Sequence, residues 1–314
     1  MDKQFPVIDG HCDTALLFDS KEYDFFGQNK KGHIDFNRLK QADVRLQFFA
    51  VFVDPQLHQF NVLEKGLQKV NQILNVAESH DDIFLVREKN DLNKLQKEKL
   101  GILISVEGGD VLGQNIEMLD IFYRLGMRSL TLTWSNNNYI ADGIADKRNG
   151  GLTNFGIEVI ERMEEKNIIL DVSHLSVAGF WDVVNCYKKP IIASHSNCKT
   201  VYNHKRSLDD KQIKAIAECN GLVGVNFAPH QLSVAENADL DTIIQHIKYL
   251  KKVVGTKYIA LGSDFDGVSQ LPKGINDVCS FDDLFLKMQK HKFTDKEIED
   301  ISYNNYYSFL KSNL

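Results

Sequence analysis

The stretch Ile168–Ser196, IILDVSHLSVAGFWDVVNCYKKPIIASHS, holds two mostly apolar runs of strand length, Ile168–Val172 and Pro190–Ser194. Neither alternates strictly between apolar and polar, as a strand with one wet face would. Both suit parallel strands covered on both sides. A segment of helical length separates them, and a histidine closes each run, His174 after the first and His195 after the second. The unit therefore reads as strand, helix, strand.

Six more runs of this kind flank it: Pro6–Asp9, Gln47–Val53, Gly101–Val106, Arg128–Thr133, Gly221–Phe227 and Tyr258–Ser263. Helical patterns lie between them. Val62–Ser79 places apolar residues at 62, 63, 67, 70, 73, 74 and 77, a stripe of 3.6-residue period. Thr153–Lys166 opens on a threonine suited to N-capping, and Asp239–Val254 repeats the stripe with Ile243, Ile244, Ile247, Leu250 and Val254. Eight strands alternating with helices predict closure into a (β/α)8 TIM barrel of the metal-dependent hydrolase type. No linker, repeat or low-complexity tract divides the chain, so residues 1–314 are expected to form one barrel domain. The longest irregular stretch, Trp134–Gly151, follows a strand and belongs at the active-site end.

Composition narrows the function. With 43% hydrophobic and 25% charged residues, the chain is neither disordered nor fibrous. Its net charge is −6 and it has no basic block beyond Lys30-Lys31, so nucleic acid is not an expected partner. No apolar stretch approaches the ~20 residues of a membrane span, and Met1–Pro6 does not read as a secretory leader. No membrane association is expected. Five scattered cysteines without a C-x-x-C pair suit reduced thiols in the cytoplasm. A homodimer is left open.

The C-terminal ends of the runs carry the chemistry. They read Asp9-Gly10-His11-Cys12-Asp13, Val106-Glu107-Gly108, Asp171-Val172-Ser173-His174, Ser194-His195-Ser196 and Ser263-Asp264-Phe265-Asp266-Gly267. Barrel enzymes place their reacting groups at these ends. His11 and Asp13 are two apart and so share a face, while Cys12 points away. A carboxylate such as Glu107 has two oxygens and can bridge two ions, and His174 and His195 can complete a second site. Imidazole and carboxylate together suit Zn²⁺, with Mn²⁺, Co²⁺ or Fe²⁺ as alternatives. Taken singly, each residue has a structural reading. A strand-end histidine can be a hydrogen-bonding group, Glu107 a helix cap, and Asp264 and Asp266 turn formers.

Read in order, these motifs resemble the membrane dipeptidase (renal dipeptidase) family of zinc peptidases, the M19 group of the amidohydrolase superfamily. The resemblance spans nearly the whole chain. It also takes in Gly32-His33-Ile34-Asp35, Leu130-Thr131-Leu132-Thr133, Gly151-Leu152-Thr153-Asn154-Phe155-Gly156 and Arg206-Ser207-Leu208-Asp209-Asp210. It implies two Zn²⁺ per chain, one on His11 and Asp13, the other on His174 and His195, with Glu107 bridging. It also implies that Asp264 is the acid/base group and that Arg206 meets the substrate's terminal carboxylate, which its donor fork suits. The implied substrate is a dipeptide, with a D-residue allowed at its C-terminal position, hydrolysed by a hydroxide shared between the ions.

Three departures stand out. Trp134 occupies the place of a histidine that in the family helps polarise the substrate carbonyl. It remains a candidate substrate-binding residue, and Asn136, Asn137 or Asn138 could replace the lost contact. Ser207 replaces the usual asparagine after the arginine. Anchor signals of the membrane-bound members are missing from the sequence. Other amidohydrolase reactions (N-acyl amino acid deacylase, lactonase) and a non-catalytic metal-binding scaffold are the alternatives. Several such enzymes bridge their ions with a modified lysine, and Arg128–Thr133 contains none.

Overall fold

The computed structural model describes residues 4–58 and 60–314. Residues 1–3 of the N-terminal stretch read above lie outside the described residues. Nine parallel strands make one sheet: β1 (Val7–Cys12), β2 (Val44–Phe52), β3 (Ile83–Leu85), β4 (Leu100–Glu107), β5 (Met127–Thr131), β6 (Ile169–Asp171), β7 (Ile191–Ala193), β8 (Leu222–Val225) and β9 (Ile259–Leu261). β1 pairs with both β2 and β9, and β2 pairs with β4 from Leu46↔Gly101 to Phe52↔Glu107. These pairings close eight of the strands into the expected (β/α)8 barrel.

All eight runs read from the sequence become strands. The ninth, β3, was not expected. It is three residues long and pairs only with Leu100–Ile102, the first three residues of β4. β5 takes the last part of β4 from Ile104 onward, so β3 covers the flank that β5 leaves open. β2 also begins earlier than its apolar run. Arg45 interrupts the pattern there, but it is held outside the barrel by Asp43, at 3.0 and 3.1 Å, and over the Tyr303 ring.

The helices match their patterns closely. Val62–Glu78 buries Val70 and Ile73 against the barrel. Asn154–Lys166 is capped by Thr153, whose Oγ1 accepts from the Gly156 amide at 2.9 Å, and Leu240–Val254 is capped by Asp239.

Inside the barrel, Ile8, Leu46, Phe48, Leu103, Ile169, Ile192, Leu222 and Ala260 form an apolar layer with Tyr306, Phe309 and Leu310. The last three come from the final helix, Asn305–Asn313, which lies across the N-terminal ends of the strands. Asn305 Nδ2 fixes it by donating to the carbonyls of Thr256 and Ile259 at 2.7 and 2.8 Å. Tyr306 reaches far enough up the barrel that a Cβ on Gly10 would sit 2.0 Å from its hydroxyl. A side chain at position 10 and a tyrosine at 306 cannot coexist. The bottom of the barrel is thereby plugged, and the open end is the one that carries the histidines and acids.

The Tyr306 hydroxyl is buried without a hydrogen-bond partner. Removing it should cost nothing, whereas removing the ring should leave a cavity. Tyr306→Phe is expected to leave the urea midpoint unchanged or higher. Tyr306→Ala is expected to lose about 3–5 kcal/mol of unfolding free energy. A clear loss in the phenylalanine variant would show that the hydroxyl has a partner.

Candidate active site

β1 brings Asp9 and His11 to one face, two residues apart, and Asp13 follows at the strand's end. Cys12 turns the other way and packs in the apolar core outside the ring. β4 ends on Glu107. His174, His195 and Asp264 follow β6, β7 and β9. His174 and Asp264 have φ of +66° and +63°, a left-handed conformation that non-glycine residues seldom adopt. Strain of that kind collects where a side chain must be aimed.

The side chains of His11, Asp13, Glu107, His174, His195 and Asp264 converge. Glu107 Oε2 lies 3.6 Å from His11 Nε2. Its other oxygen, Oε1, lies 3.1 Å from His174 Nε2 and 3.5 Å from His195 Nε2. His11 Nε2 is also 3.4 Å from Asp13 and 3.9 Å from Asp264. Two sets have ligand atoms close enough to hold one ion, His11 with Glu107 and His195, and His11 with Asp13 and Asp264. Asp264, read from the sequence as an acid/base group, therefore also stands within ligand range. Gly267 permits this crowding, since a Cβ there would meet Asp13 and Asp264 oxygens at 2.3 and 2.4 Å.

The donor set fits a divalent cation. Both nitrogens of His11 and Asp13 Oδ1 are buried without a hydrogen-bond partner. Unmade bonds at buried nitrogen and oxygen are costly unless something completes them. Burial pushes Glu107 up to about 8, with Asp13 and Asp264 adding to the rise and His11 opposing it. Burial acts to lower His11, but Glu107, Asp13 and Asp264 outweigh it and raise the imidazole to about 10. Three carboxylates in one dry place thus call for positive charge. Burial holds His174 and His195 well below the ordinary histidine range, as neutral donors of the kind metals take.

A supporting layer escaped the sequence reading. Asp171 accepts from Thr131 Oγ1 at 2.9 Å, from the Ser173 and Ser194 amides at 2.9 and 3.0 Å, and from the Ser194 hydroxyl. That hydroxyl gives its one hydrogen to Asp171 and so accepts from His195 Nδ1, 2.8 Å away. The bond fixes the tautomer that leaves the lone pair on His195 Nε2, which faces His174 Nε2 at 3.0 Å. Asp9 makes the same clip to the next strand, accepting from the Ser263 amide and hydroxyl at 2.8 and 2.6 Å and from Gln47 at 2.9 Å. Asn226 Nδ2 donates to Asp264 Oδ2 at 2.9 Å. The available signal was an acid inside an otherwise apolar strand, at Asp9 and Asp171.

A cavity of about 340 Å³ opens above these groups, at the small end of the roughly 300–1,000 Å³ usual for small ligands. Asp13, Glu107, His174, Arg206, Asp264 and Trp134 all border it. Arg206 is buried, donates to the His195 carbonyl at 3.1 Å, and keeps its Nε without a partner. The Trp134 ring packs on Phe52, centroids 5.0 Å apart, beside His174 at 6.2 Å. Ser135, rather than the three asparagines after it, lines this cavity. Asn137 and Asn138 line a separate, larger one, and Asn138 is engaged with Asp110 and the Leu132 carbonyl, at 3.1 and 2.9 Å. The expectation that one of them replaces the missing histidine is corrected accordingly. Asp266 serves the loop, accepting from the His33 amide and from Thr14 Oγ1, both at 2.6 Å.

Known proteins share this arrangement of chain and fold. The family model "Membrane dipeptidase (Peptidase family M19)" matches residues 1–312. An uncharacterized dipeptidase of Schizosaccharomyces pombe is 30% identical over 323 residues, covering 96% of this chain and 79% of that protein. Dipeptidase 3 of Mus musculus is 27% identical over 314 residues, covering 96% of this chain and 63% of the mouse protein. Among solved structures, a metallopeptidase of Rhodobacter sphaeroides, liganded with a phosphinate mimic of the dipeptide L-Ala-D-Ala, superposes with a TM-score of 0.93 at 26% identity. That match covers 99% of this chain and all of the other. The chain belongs to the membrane dipeptidase family, peptidase family M19, and is by class a metal-dependent dipeptidase.

Proposed function

We propose that this protein hydrolyses the peptide bond of free dipeptides with two Zn²⁺ ions, one on His11 and Asp13, the other on His174 and His195, and Glu107 between them. The observation that carries this reading is the two-sided placement of Glu107, one oxygen toward His11 and the other toward His174 and His195. Ions so held supply Lewis acidity to the carbonyl and acidify water. The rest of the work falls to side chains. Arg206 is buried in the cavity wall with no carboxylate within 4.0 Å among the described residues, and it receives the substrate's terminal carboxylate as a two-point contact. That contact places the one peptide bond of a dipeptide over Glu107.

Asp264 takes a proton from the attacking water and hands it to the departing amine as the C–N bond breaks. Asn226 holds one of its oxygens and leaves the other facing His11. The relative solved with a mimic of L-Ala-D-Ala supports tolerance of a D-residue at the C-terminal position. No helix among the described residues is long and apolar enough to cross a membrane, and five cysteines without a disulfide fit a reducing, cytoplasmic setting.

Chelation should abolish turnover of a dipeptide panel, and Zn²⁺ should restore it with two ions bound per chain by elemental analysis. Undiminished turnover in the metal-free protein would refute the reading. Asp264→Asn should cut kcat by about 10²–10⁴-fold, and a wild-type rate would remove Asp264 from proton transfer. Arg206→Ala should raise KM for free dipeptides while leaving C-terminally amidated ones, already poor substrates, little changed. Equal losses on both would place Arg206 elsewhere.

A further inference from the structure

The same cavity carries more hydrogen-bond donors than one terminal carboxylate needs, and a second cation beside Arg206. His204, Lys205 and His230 border it together with Arg206. The two imidazoles meet edge to face, with centroids 5.5 Å apart and planes at 76°. His204 is oriented from below, since its Nδ1 accepts from the Arg206 amide at 3.3 Å. Among the described residues, no carboxylate comes within 4.0 Å of any of the four. The cavity's own acids gather instead around His11. Burial, with repulsion from His230, Arg206 and Lys205, pushes His204 down to about 4. Burial likewise lowers His230, with Asp264 opposing and Arg206 adding to the fall, so the cluster pairs two neutral imidazoles with two cations that no carboxylate of the described residues touches.

Donors and cations that no carboxylate of the described residues contacts are complementary to an anionic ligand. The dipeptide reading places one carboxylate on Arg206. Aspartyl and glutamyl residues carry a second carboxylate a few carbons from the first, which matches the two cations on consecutive residues, Lys205 and Arg206, with the neutral imidazoles as added hydrogen-bond donors. We infer that His204, Lys205 and His230 form a subsite for a side-chain carboxylate, so that the preferred substrates are dipeptides ending in aspartate or glutamate. This rests on the proposed dipeptidase reading, with the terminal carboxylate on Arg206. The three residues are specificity determinants and take no part in bond breaking.

The test compares kcat/KM of the zinc-loaded enzyme on Ala-Glu and Ala-Gln, which differ in charge and barely in shape, in both L-L and L-D forms. The acidic dipeptide should be favoured by about ten-fold to a hundred-fold, the range for a charged hydrogen bond. Lys205→Met should bring that ratio toward one. Lys205→Glu should push it below one and raise turnover of Ala-Lys relative to Ala-Gln, which mere loss of structure would not do. A wild-type ratio near one, or a ratio unmoved by Lys205→Met and by the His204→Gln/His230→Gln double variant, overturns the subsite and leaves the dipeptidase reading standing. If no dipeptide is turned over, that reading fails. Calorimetric titration with phosphinate dipeptide mimics ending in glutamate or glutamine then decides the subsite. Tighter binding of the acidic mimic supports it, and equal binding overturns it.

Discussion

Burying carboxylates is the constraint around which this barrel is organised. Asp9, Asp13, Glu107, Asp171 and Asp264 all sit at or near the strand ends with under a tenth of their surface exposed. A buried anion is tolerated only when hydrogen bonds or opposite charge replace its lost water. Four of the five divide sharply on how that is met, and Asp264 stands between, one oxygen held by Asn226 and the other facing His11. Asp9 and Asp171 are each clipped by the amide and hydroxyl of a serine on the neighbouring strand, with one further donor from β2 or β5. They are satisfied from within the protein. Asp13 and Glu107 instead face imidazoles, and Asp13 Oδ1 and both nitrogens of His11 lack a hydrogen-bond partner among the described residues. Satisfied acids hold the strands in register, and unsatisfied ones mark the place where something else must bind.

The two classes are coupled. The proton that Ser194 gives to Asp171 fixes the tautomer of His195, so a structural hydrogen bond in β6 sets the chemistry of a side chain after β7. Ser263 does the matching job between β9 and β1, and it stands next to Asp264. The site is therefore a consequence of how adjacent strands are joined, and its precision comes from rigid elements rather than from loops. Tyr306 contributes from the opposite end. It fills the barrel floor against Gly10, immediately before His11, leaving β1 little room to shift.

Much of this was legible in the sequence because the signal was periodic. Eight apolar runs, five of them ending at a histidine or acid, are enough to place the barrel and the end at which it works. β3 was not legible: three residues pairing with three residues of β4 leave no pattern to count. The true start of β2 was hidden by Arg45, whose charge is answered by Asp43 outside the ring. The support of His195 by Asp171 and of Asp264 by Asn226 was hidden for a different reason. The Ser194–Asp171 and Asn226–Asp264 bonds join residues 23 and 38 positions apart, and no local spacing encodes them. The asparagines at 136–138 misled because they lie next to Trp134 in sequence while the loop turns two of them toward another cavity.

Trp134 gives the cavity its second character. A histidine at that place could carry charge or pass a proton, whereas an indole offers one N–H and a large apolar face. Its packing on Phe52 makes an aromatic wall beside His174, while Arg206, Lys205, His204 and His230 border the same space with donors. On the proposed reading, a dipeptide meets these surfaces with its two halves: carboxylates on the cationic side, the N-terminal residue's side chain against the rings. Such a division is chosen by the substrate's charge distribution rather than by its length alone. On that same proposed reading, a tryptophan where the resemblance expects a histidine holds the substrate in place rather than stabilising charge at the carbonyl, and the acid–base work falls to Asp264.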